Sequence, residues 1–443
     1  MTPRAVTGMP TGEAPQLTTL SNGVTLLNAP SSSRNVGVFL IVRAGSRDET
    51  TETAGLAHYL EHMFFKGTER RPTTKQITRE VDRLGAATNA YTDTEEVGYY
   101  AEGPATAMHE LTDIICDMLS RPLFAVEEVE RERNVVLQEL SARLSDPDGW
   151  IWDRLGTVTY GGDQPLSWSA AGFPRVIEKV TRDQLVEYHR SFYAPHSICL
   201  TIAGGAAMKP EQAEKLLRDM PTAKPKPRQA ARWGLGDRFT GNIRPVTPAE
   251  EPQTKMALAV PGLPALDDDR TALSVMTFIL GGGMSSRLFH TVRERNGLAY
   301  AIFAHHESFE DTGVFVIFTG TRPKDAVRAI RLSFRELRKM ADRPVPETEL
   351  AAAKSAMVGR LLRSTETAMA SARFYAGRWR ARLPLETPDR RAEAISRVTA
   401  TDVHRVAQRI AAGMEQVRLA FVGPSEQGEA LLSAALDGGR ASA

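Results

Sequence analysis

Cysteine is nearly absent. The 443-residue chain has two, Cys116 and Cys199. One bridge at most can form, which excludes a disulfide scaffold and any zinc site built on several cysteines. Net charge is equally scarce: 55 basic residues stand against 54 acidic ones, a balance of +1. No global field is left for holding nucleic acid or an anionic membrane. Long hydrophobic runs are missing too. The longest, such as Val36–Val42 and Met256–Val260, have strand length and fall far short of the ~20 residues that span a bilayer. The first 20 residues hold three prolines and one arginine around no apolar centre. They match neither a secretory signal nor a transit peptide, so residues 1–17 read as a flexible tail on a cytoplasmic protein.

What is present is ordinary globular composition, 42% apolar and 25% charged, long enough for about three domains or two large ones. One boundary stands out. Pro221-Thr-Ala-Lys-Pro-Lys-Pro-Arg228 packs three prolines and three basic residues into eight positions, a composition suited to an extended, solvated linker over residues 221–232. The flanking halves repeat each other. A strand at Val36–Arg43, a helical stretch at Ala54–Phe65, a strand through Val97–Ala101 and helices at Pro104–Leu119 and Val126–Leu144 make up the first half. They return as a strand at Met256–Val260, a helical region at Ser274–Arg293, a strand at Gly313–Phe318 and helices led by Pro323 and Pro346. The offset stays near 216–220 residues, as a duplicated domain requires. Two α+β domains, residues 18–220 and 233–435, each a sheet carrying helices, are the expectation.

His58-Tyr-Leu-Glu61-His62 is the sharpest local pattern, and the stretch around it holds good helix formers and no proline. At 3.6 residues per turn, His58 and His62 share one face with Glu61 beside them. Two imidazoles one turn apart can both reach a single metal at ~2.0–2.1 Å, and the carboxylate can take a proton from a neighbouring water. The bland alternative is a helix with two unrelated histidines, but His-x-x-acid-His arises by chance only about 0.02 times in such a chain. Catalytic zinc takes three protein ligands and keeps one position open. Glu132 and Glu139, seven positions apart, fall on one helical face, although alone they would be ordinary solvated carboxylates.

His-x-x-Glu-His followed after 76 intervening residues by Glu139 resembles the inverted zinc motif of the pitrilysin-type (M16) metallopeptidases. The similarity extends to Gly55-Leu-Ala-His with Phe65-Lys-Gly-Thr68, Gly85-Ala with Asn89-Ala-Tyr-Thr92, Glu130-Arg-Glu-Arg133, Tyr193-Ala-Pro195 and Gly281–Phe289, spanning residues 18–425. Among M16 peptidases the chain looks like the short two-domain branch that includes the mitochondrial processing peptidase and bacterial relatives. The resemblance implies two domains of the LuxS/MPP-like metallohydrolase type, with Zn2+ at His58, His62 and Glu139. Glu61 would be the general base and Glu132 the carboxylate that orients a ligand histidine.

The resemblance also assigns Arg293 and Tyr300, seven residues apart, to the active site as donors for a carbonyl oxygen that turns anionic. Without it they would read as a surface arginine and a core tyrosine. Asn89 and Ala90 fall on a strand that in relatives is an exposed edge pairing with substrate backbone. One departure is visible: relatives carry threonine ahead of the aromatic pair, where this chain has Val97-Gly98 before Tyr99-Tyr100. Gly281–Gly283 lacks the residues of a phosphate-binding loop and is shorter than the glycine-rich loop of the non-catalytic mitochondrial subunit. Adjacent His305 and His306 point to opposite faces of a strand. Arg378, Arg380, Arg382, Arg390 and Arg391 read as a solvated helix surface rather than a nucleic-acid patch.

The expectation is a zinc endopeptidase acting on unfolded peptides or on leader and presequence segments. The long members of the family join four such domains, so a two-domain chain implies a homodimer enclosing a chamber. Peptide is the expected partner, with neither nucleic acid nor membrane. Two rivals are the catalytic subunit of an obligate heterodimer and a non-catalytic structural core subunit. The second is disfavoured by the complete set of ligands, base and Arg/Tyr pair.

Overall fold

Val36–Val42 is apolar at nearly every position because both faces of its strand are covered. Val36, Val38, Leu40 and Val42 point into one core, while Phe39 and Ile41 point into another. The same division recurs in the second half, where Met256, Leu258 and Val260 face one cluster and Ala257 and Ala259 the opposite one. The computed structural model describes residues 14–224, 227–234, 236–237, 239–240, 253–424 and 427–439.

The first half runs β1 (Gln16–Thr19), β2 (Thr25–Pro30), β3 (Asn35–Val42), α1 (Leu56–Phe64), α2 (Thr74–Arg83), β4 (Ala87–Thr92), β5 (Val97–Pro104), α3 (Met108–Ser120), α4 (Val126–Ser145), α5 (Pro147–Tyr160), α6 (Pro174–Ile177), α7 (Arg182–Phe192), β6 (Ile198–Gly204) and α8 (Pro210–Leu216). The second half runs β7 (Phe239–Thr240), β8 (Thr254–Pro261), α9 (Arg270–Gly281), β9 (Ala299–Ser308), β10 (Gly313–Thr321), α10 (Ala326–Asp342), α11 (Glu347–Arg363), α12 (Ala368–Arg380), α13 (Pro388–Arg397), α14 (Ala400–Ala412), β11 (Arg418–Val422) and α15 (Gly428–Gly439). Strand order is β1-β2-β6-β3-β5-β4 in one sheet and β7-β11-β8-β10-β9 in the other. β2 pairs parallel with β6, as β7 does with β11. Apart from β1, the sheets have the same topology, so the halves are two homologous α+β domains.

Each domain lends a helix to the other. Ile151, Leu155 and Val158 of α5 pack on Ala257, Val316 and Ala420 of the second sheet. In return Met369, Ala372 and Ala376 of α12 pack on Leu27, Phe39 and Ala203 of the first. The approach is close at Gly37, where an added Cβ would lie 2.7 Å from Met369 Cα. Four elements depart from the sequence reading. Pro104 both ends β5 opposite Asn35 and caps a short 3-10 turn at Ala105–Ala107, so the α-helix proper, α3, begins only at Met108; a residue without an N–H closes a strand end as readily as it opens a helix. The helical region at 274–293 is broken after α9 and resumes as a π-helix at Phe289–Glu294. Most of the assigned tail, residues 1–13, lies outside the described residues, but Gln16 and Leu17 already pair in β1. The linker is tied down as well, since Arg228 pairs with Asp48 at 2.9 Å and Glu310 at 3.2 Å; Pro225 and Lys226 are outside the described residues.

The arginine cluster is only partly a solvated surface. Arg378 is buried against Glu386, Arg380 pairs with Glu95 and Glu96, Arg382 with Glu310, and Arg391 donates to Thr271. Arg382, 59% exposed, and Arg390, paired with Glu393, have the expected exposed setting. Among the described residues no helix is long and apolar enough to cross a membrane.

Candidate active site

Helix α1 starts on Gly55, whose φ of 101° and crowding against Ala171 O leave no room for a side chain. Glu49 caps the start, its carboxylate accepting from Gly55 N at 2.8 Å and Ala57 N at 2.7 Å. Leu56, Tyr59, Leu60, Met63 and Phe64 turn inward, which aims His58, Glu61 and His62 the other way. α4 presents Val129, Glu132, Val136 and Leu140 inward, and the Tyr59 hydroxyl ties it to α1 by donating to Val129 O. That contact brings Glu139, 49% exposed, over the two histidines.

Three lone pairs converge there. His58 Nε2 and His62 Nε2 are 3.3 Å apart, and Glu139 Oε2 stands 3.6 Å from the first and 3.5 Å from the second. Ligand bonds of ~2.0–2.1 Å in a tetrahedron put donor atoms ~3.4 Å from one another, so this donor set fits zinc. Among the described residues it is the one His/Cys/Asp/Glu group close enough to hold a metal ion. Burial, followed by His62 and Arg143, pushes His58 down to about 4, which keeps its ring neutral and able to ligate. Burial also disfavours the His62 cation, but the hydrogen bond to Glu132 and the charges of Glu139, Glu132 and Glu61 outweigh it and raise the pKa.

Glu61 leans toward β4, where Thr92 Oγ1 donates to its Oε2 at 2.5 Å. Burial raises the Glu61 carboxyl against the opposing pull of Thr92 and His62, and Glu139 adds to the rise. A carboxyl raised from its ordinary value is a better proton acceptor near neutrality. Thr92 also lines a cavity of about 550 Å3 between the domains, whose other walls include Arg143, Trp152, Phe303 and Glu307.

Asn89 and Ala90 lie on β4, the outer strand of its sheet, and Asn89 Oδ1 accepts from Ala90 N at 2.8 Å. Gly98 makes room for Tyr91, whose ring would meet an added Cβ at 2.4 Å. The π-helix carries Arg293, which donates to Tyr300 O at 2.7 Å and lies over the Tyr300 ring. Tyr300 is 73% exposed, not a core residue. Among the described residues no hydrogen bond, ion pair or ring contact joins Arg293 or Tyr300 to His58, Glu61, His62 or Glu139.

The insulinase (peptidase family M16) profile matches residues 24–166, and the peptidase M16 inactive domain profile matches residues 179–357. A Rickettsia felis protein named "uncharacterized zinc protease" is 30% identical over 416 residues, 92% of this chain and 97% of the relative. The chain belongs to the M16 (insulinase) family. Similarly named M16 relatives include one from Streptomyces coelicolor, 33% identical over 79% of this chain and 76% of its own. The relative YmxG of Bacillus subtilis is 30% identical over 79% of this chain and 84% of its own. Among solved structures, a protease from Helicobacter pylori superposes with a TM-score of 0.84 at 22% identity, covering 93% of this chain and 99% of that one. A peptidase M16 inactive domain from Pseudomonas fluorescens gives 0.83 at 19%, covering 93% and 98%. At those identities the likeness shows the fold.

Three residues that support the cluster were given no role by the sequence reading. Lys66 Nζ stands 2.6 Å from Glu132 Oε2; it follows His62 by one helical turn, a spacing that could have exposed it. Thr92 appeared only within the Asn89–Thr92 segment of the resemblance, with no role, and Glu49 carried no signal, since their partners are reached only through the fold.

Proposed function

We propose that this M16 chain is a zinc-dependent endopeptidase with His58, His62 and Glu139 as its metal ligands. The observation that carries the reading is the convergence of His58 Nε2, His62 Nε2 and Glu139 Oε2 within 4.8 Å, with a desolvated glutamate beside them. Zinc, when bound, supplies a Lewis acid that polarises a peptide carbonyl and acidifies water. Glu61, steadied by Thr92, accepts the proton of the attacking water and passes it to the departing amine. Glu132 holds the Nδ1–H of His62, which leaves Nε2 free to ligate. An extended peptide pairs with the open edge of β4 at Asn89 and Ala90, displacing the Asn89 side chain from the Ala90 amide.

Tyr300 is exposed, and among the described residues neither it nor Arg293 contacts the metal cluster of its own chain, which supports a dimer. In it, the pair from one subunit faces the metal cluster of the other across a chamber that admits unfolded peptides. The test combines elemental analysis with digestion of an unfolded protein, with and without chelator. His62→Ala is expected to lose stoichiometric zinc, and Glu61→Gln to keep zinc while losing turnover. Equal metal content in wild type and His62→Ala would sink the assignment.

A further inference from the structure

The β4–β5 turn, residues 93–96, and the β9–β10 turn, residues 309–312, are counterparts in the duplication. The same bond closes each: Asp93 N donates to Glu96 O at 2.8 Å, and Phe309 N donates to Thr312 O at 2.9 Å. The two turns meet tip to tip. Glu310 N donates to Glu95 Oε1 at 3.1 Å. Arg47 bridges the turns, 2.5 Å from Glu95 Oε1 and 2.5 Å from Asp311 Oδ1. Arg228, from the segment joining the halves, donates to Glu95 O at 2.9 Å and pairs with Glu310 at 3.2 Å. Arg380, at the end of α12, reaches Glu95 Oε2 at 3.2 Å.

Arg47 and Glu95 are each 3% exposed. Two charges so placed persist only if each neutralises the other, because a lone buried charge is far costlier than a paired one. Much of the remaining contact between the domains is apolar helix-on-sheet packing, which is non-directional, with Arg43 donating to Trp379 O as a separate polar tie. The ionic cluster is directional, and it lies beside the metal cluster. Three residues before Glu95 on the same hairpin is Thr92, bonded to Glu61 at 2.5 Å. Phe303 and Glu307, before the partner turn, form the facing wall of the cavity that Thr92 lines.

We propose that Glu95 is a positioning residue. Clamped by Arg47, Arg228 and Arg380, it fixes the two hairpins against each other and thereby keeps Thr92 in register with Glu61. The kinetic consequence rests on the peptidase reading above; the mechanical one does not.

The test uses the full chain and the variants Glu95→Gln, Thr92→Val, their double, and Glu349→Gln, which breaks the separate pair with Arg287. Amide hydrogen exchange by mass spectrometry is the first readout. Glu95→Gln is expected to speed exchange together in residues 87–104 and 299–312, while residues 56–64 and 126–145 keep their protection and bound zinc per chain is unchanged. Glu349→Gln leaves both hairpins alone. Faster exchange at 93–96 with no change at 299–312, or loss of protection throughout, would overturn the clamp.

The second readout is kcat and KM on a fluorogenic peptide built on a site that wild type cuts in unfolded casein. Glu95→Gln should lower kcat about tenfold or more with little change in KM. The double variant should be no worse than the worse single, since both losses pass through Glu61. Losses that multiply would overturn the link to Thr92. If Glu95→Gln does not fold, Arg47→Lys keeps the charge but loses the two-pronged bridge, and the same pattern is expected. A wild type that cuts no peptide would defeat the peptidase reading, while hydrogen exchange would still decide the clamp.

Discussion

Glu132 joins His62 to Lys66, with Oε1 2.8 Å from His62 Nδ1 and Oε2 2.6 Å from Lys66 Nζ. Burial alone would raise the Glu132 carboxyl, but the hydrogen bonds from His62 and Lys66 outweigh it and hold it below the usual value. A charged carboxylate behind the ring fixes the tautomer that exposes Nε2 and raises its basicity. Glu132→Gln keeps an acceptor for Nδ1–H and gives up the charge. Zinc affinity should fall ~10–100-fold, measured by competition with a chromophoric chelator. Affinity equal to wild type would remove Glu132 from the site.

Two glycines on either side of the domain contact should respond in opposite directions. At Gly37 a Cβ would meet the α12 backbone at 2.7 Å, while at Gly377, inside α12, nothing lies within 4 Å. Gly37→Ala must push α12 off the first sheet and should cost ~1–3 kcal/mol. Gly377→Ala only removes backbone freedom from a helix and should stabilise by ~0.4–1 kcal/mol. Denaturant midpoints of the two variants check both signs. A neutral Gly37→Ala would mean that α12 is not seated on β3.

What the sequence made legible was local. His58, Glu61 and His62 lie within one helical turn of each other, so a single period revealed their shared face. Glu132 and Glu139 share a face by the same period, but only the family resemblance set them apart from ordinary solvated carboxylates; the duplication showed because its offset is constant. Contacts across the fold were not readable. Thr92 reaches Glu61 over 31 positions and Arg380 reaches Glu95 over 285, with no pattern to link them. Arg380 looked solvated because its carboxylate partners, Glu95 and Glu96, are in a distant turn. The exchange of α5 and α12 between the sheets was hidden likewise, since either helix would be amphipathic wherever it packed.

Glu307 should make stability depend on pH. Its side chain is exposed toward the cavity, yet desolvation by the surrounding protein, with Asp93 and Glu95 against Arg380, raises its carboxyl to about 7. Unfolded, a glutamate ionises near ~4.3. Between those values the unfolded chain sheds the proton first, so stability falls as pH rises and the contribution is gone above about 7. The full shift corresponds to ~3–4 kcal/mol, but a carboxyl open to cavity water is screened, and ~1 kcal/mol is the expected loss. Glu307→Gln cannot ionise. Its thermal midpoint should therefore gain on wild type between about pH 4.5 and 7.5, and parallel curves would show that Glu307 is not desolvated in solution.

The shared active site makes a quantitative demand. Arg293 and Tyr300 make no contact with the metal cluster of their own chain among the described residues, so the proposed dimer supplies them in trans. Glu61→Gln and Arg293→Ala homodimers should then each be inactive or nearly so. In a hybrid, one site receives intact Glu61 from one chain and intact Arg293 from the other, and the second site carries both defects. Random reassortment makes about half of the dimers hybrid, each with one working site of two. Activity should therefore recover to roughly a quarter of wild type for a two-fold dimer. Native mass spectrometry of the mixture establishes that hybrids have formed before the assay. No recovery with hybrids present would mean that each chain completes its own site, and the trans arrangement would be rejected.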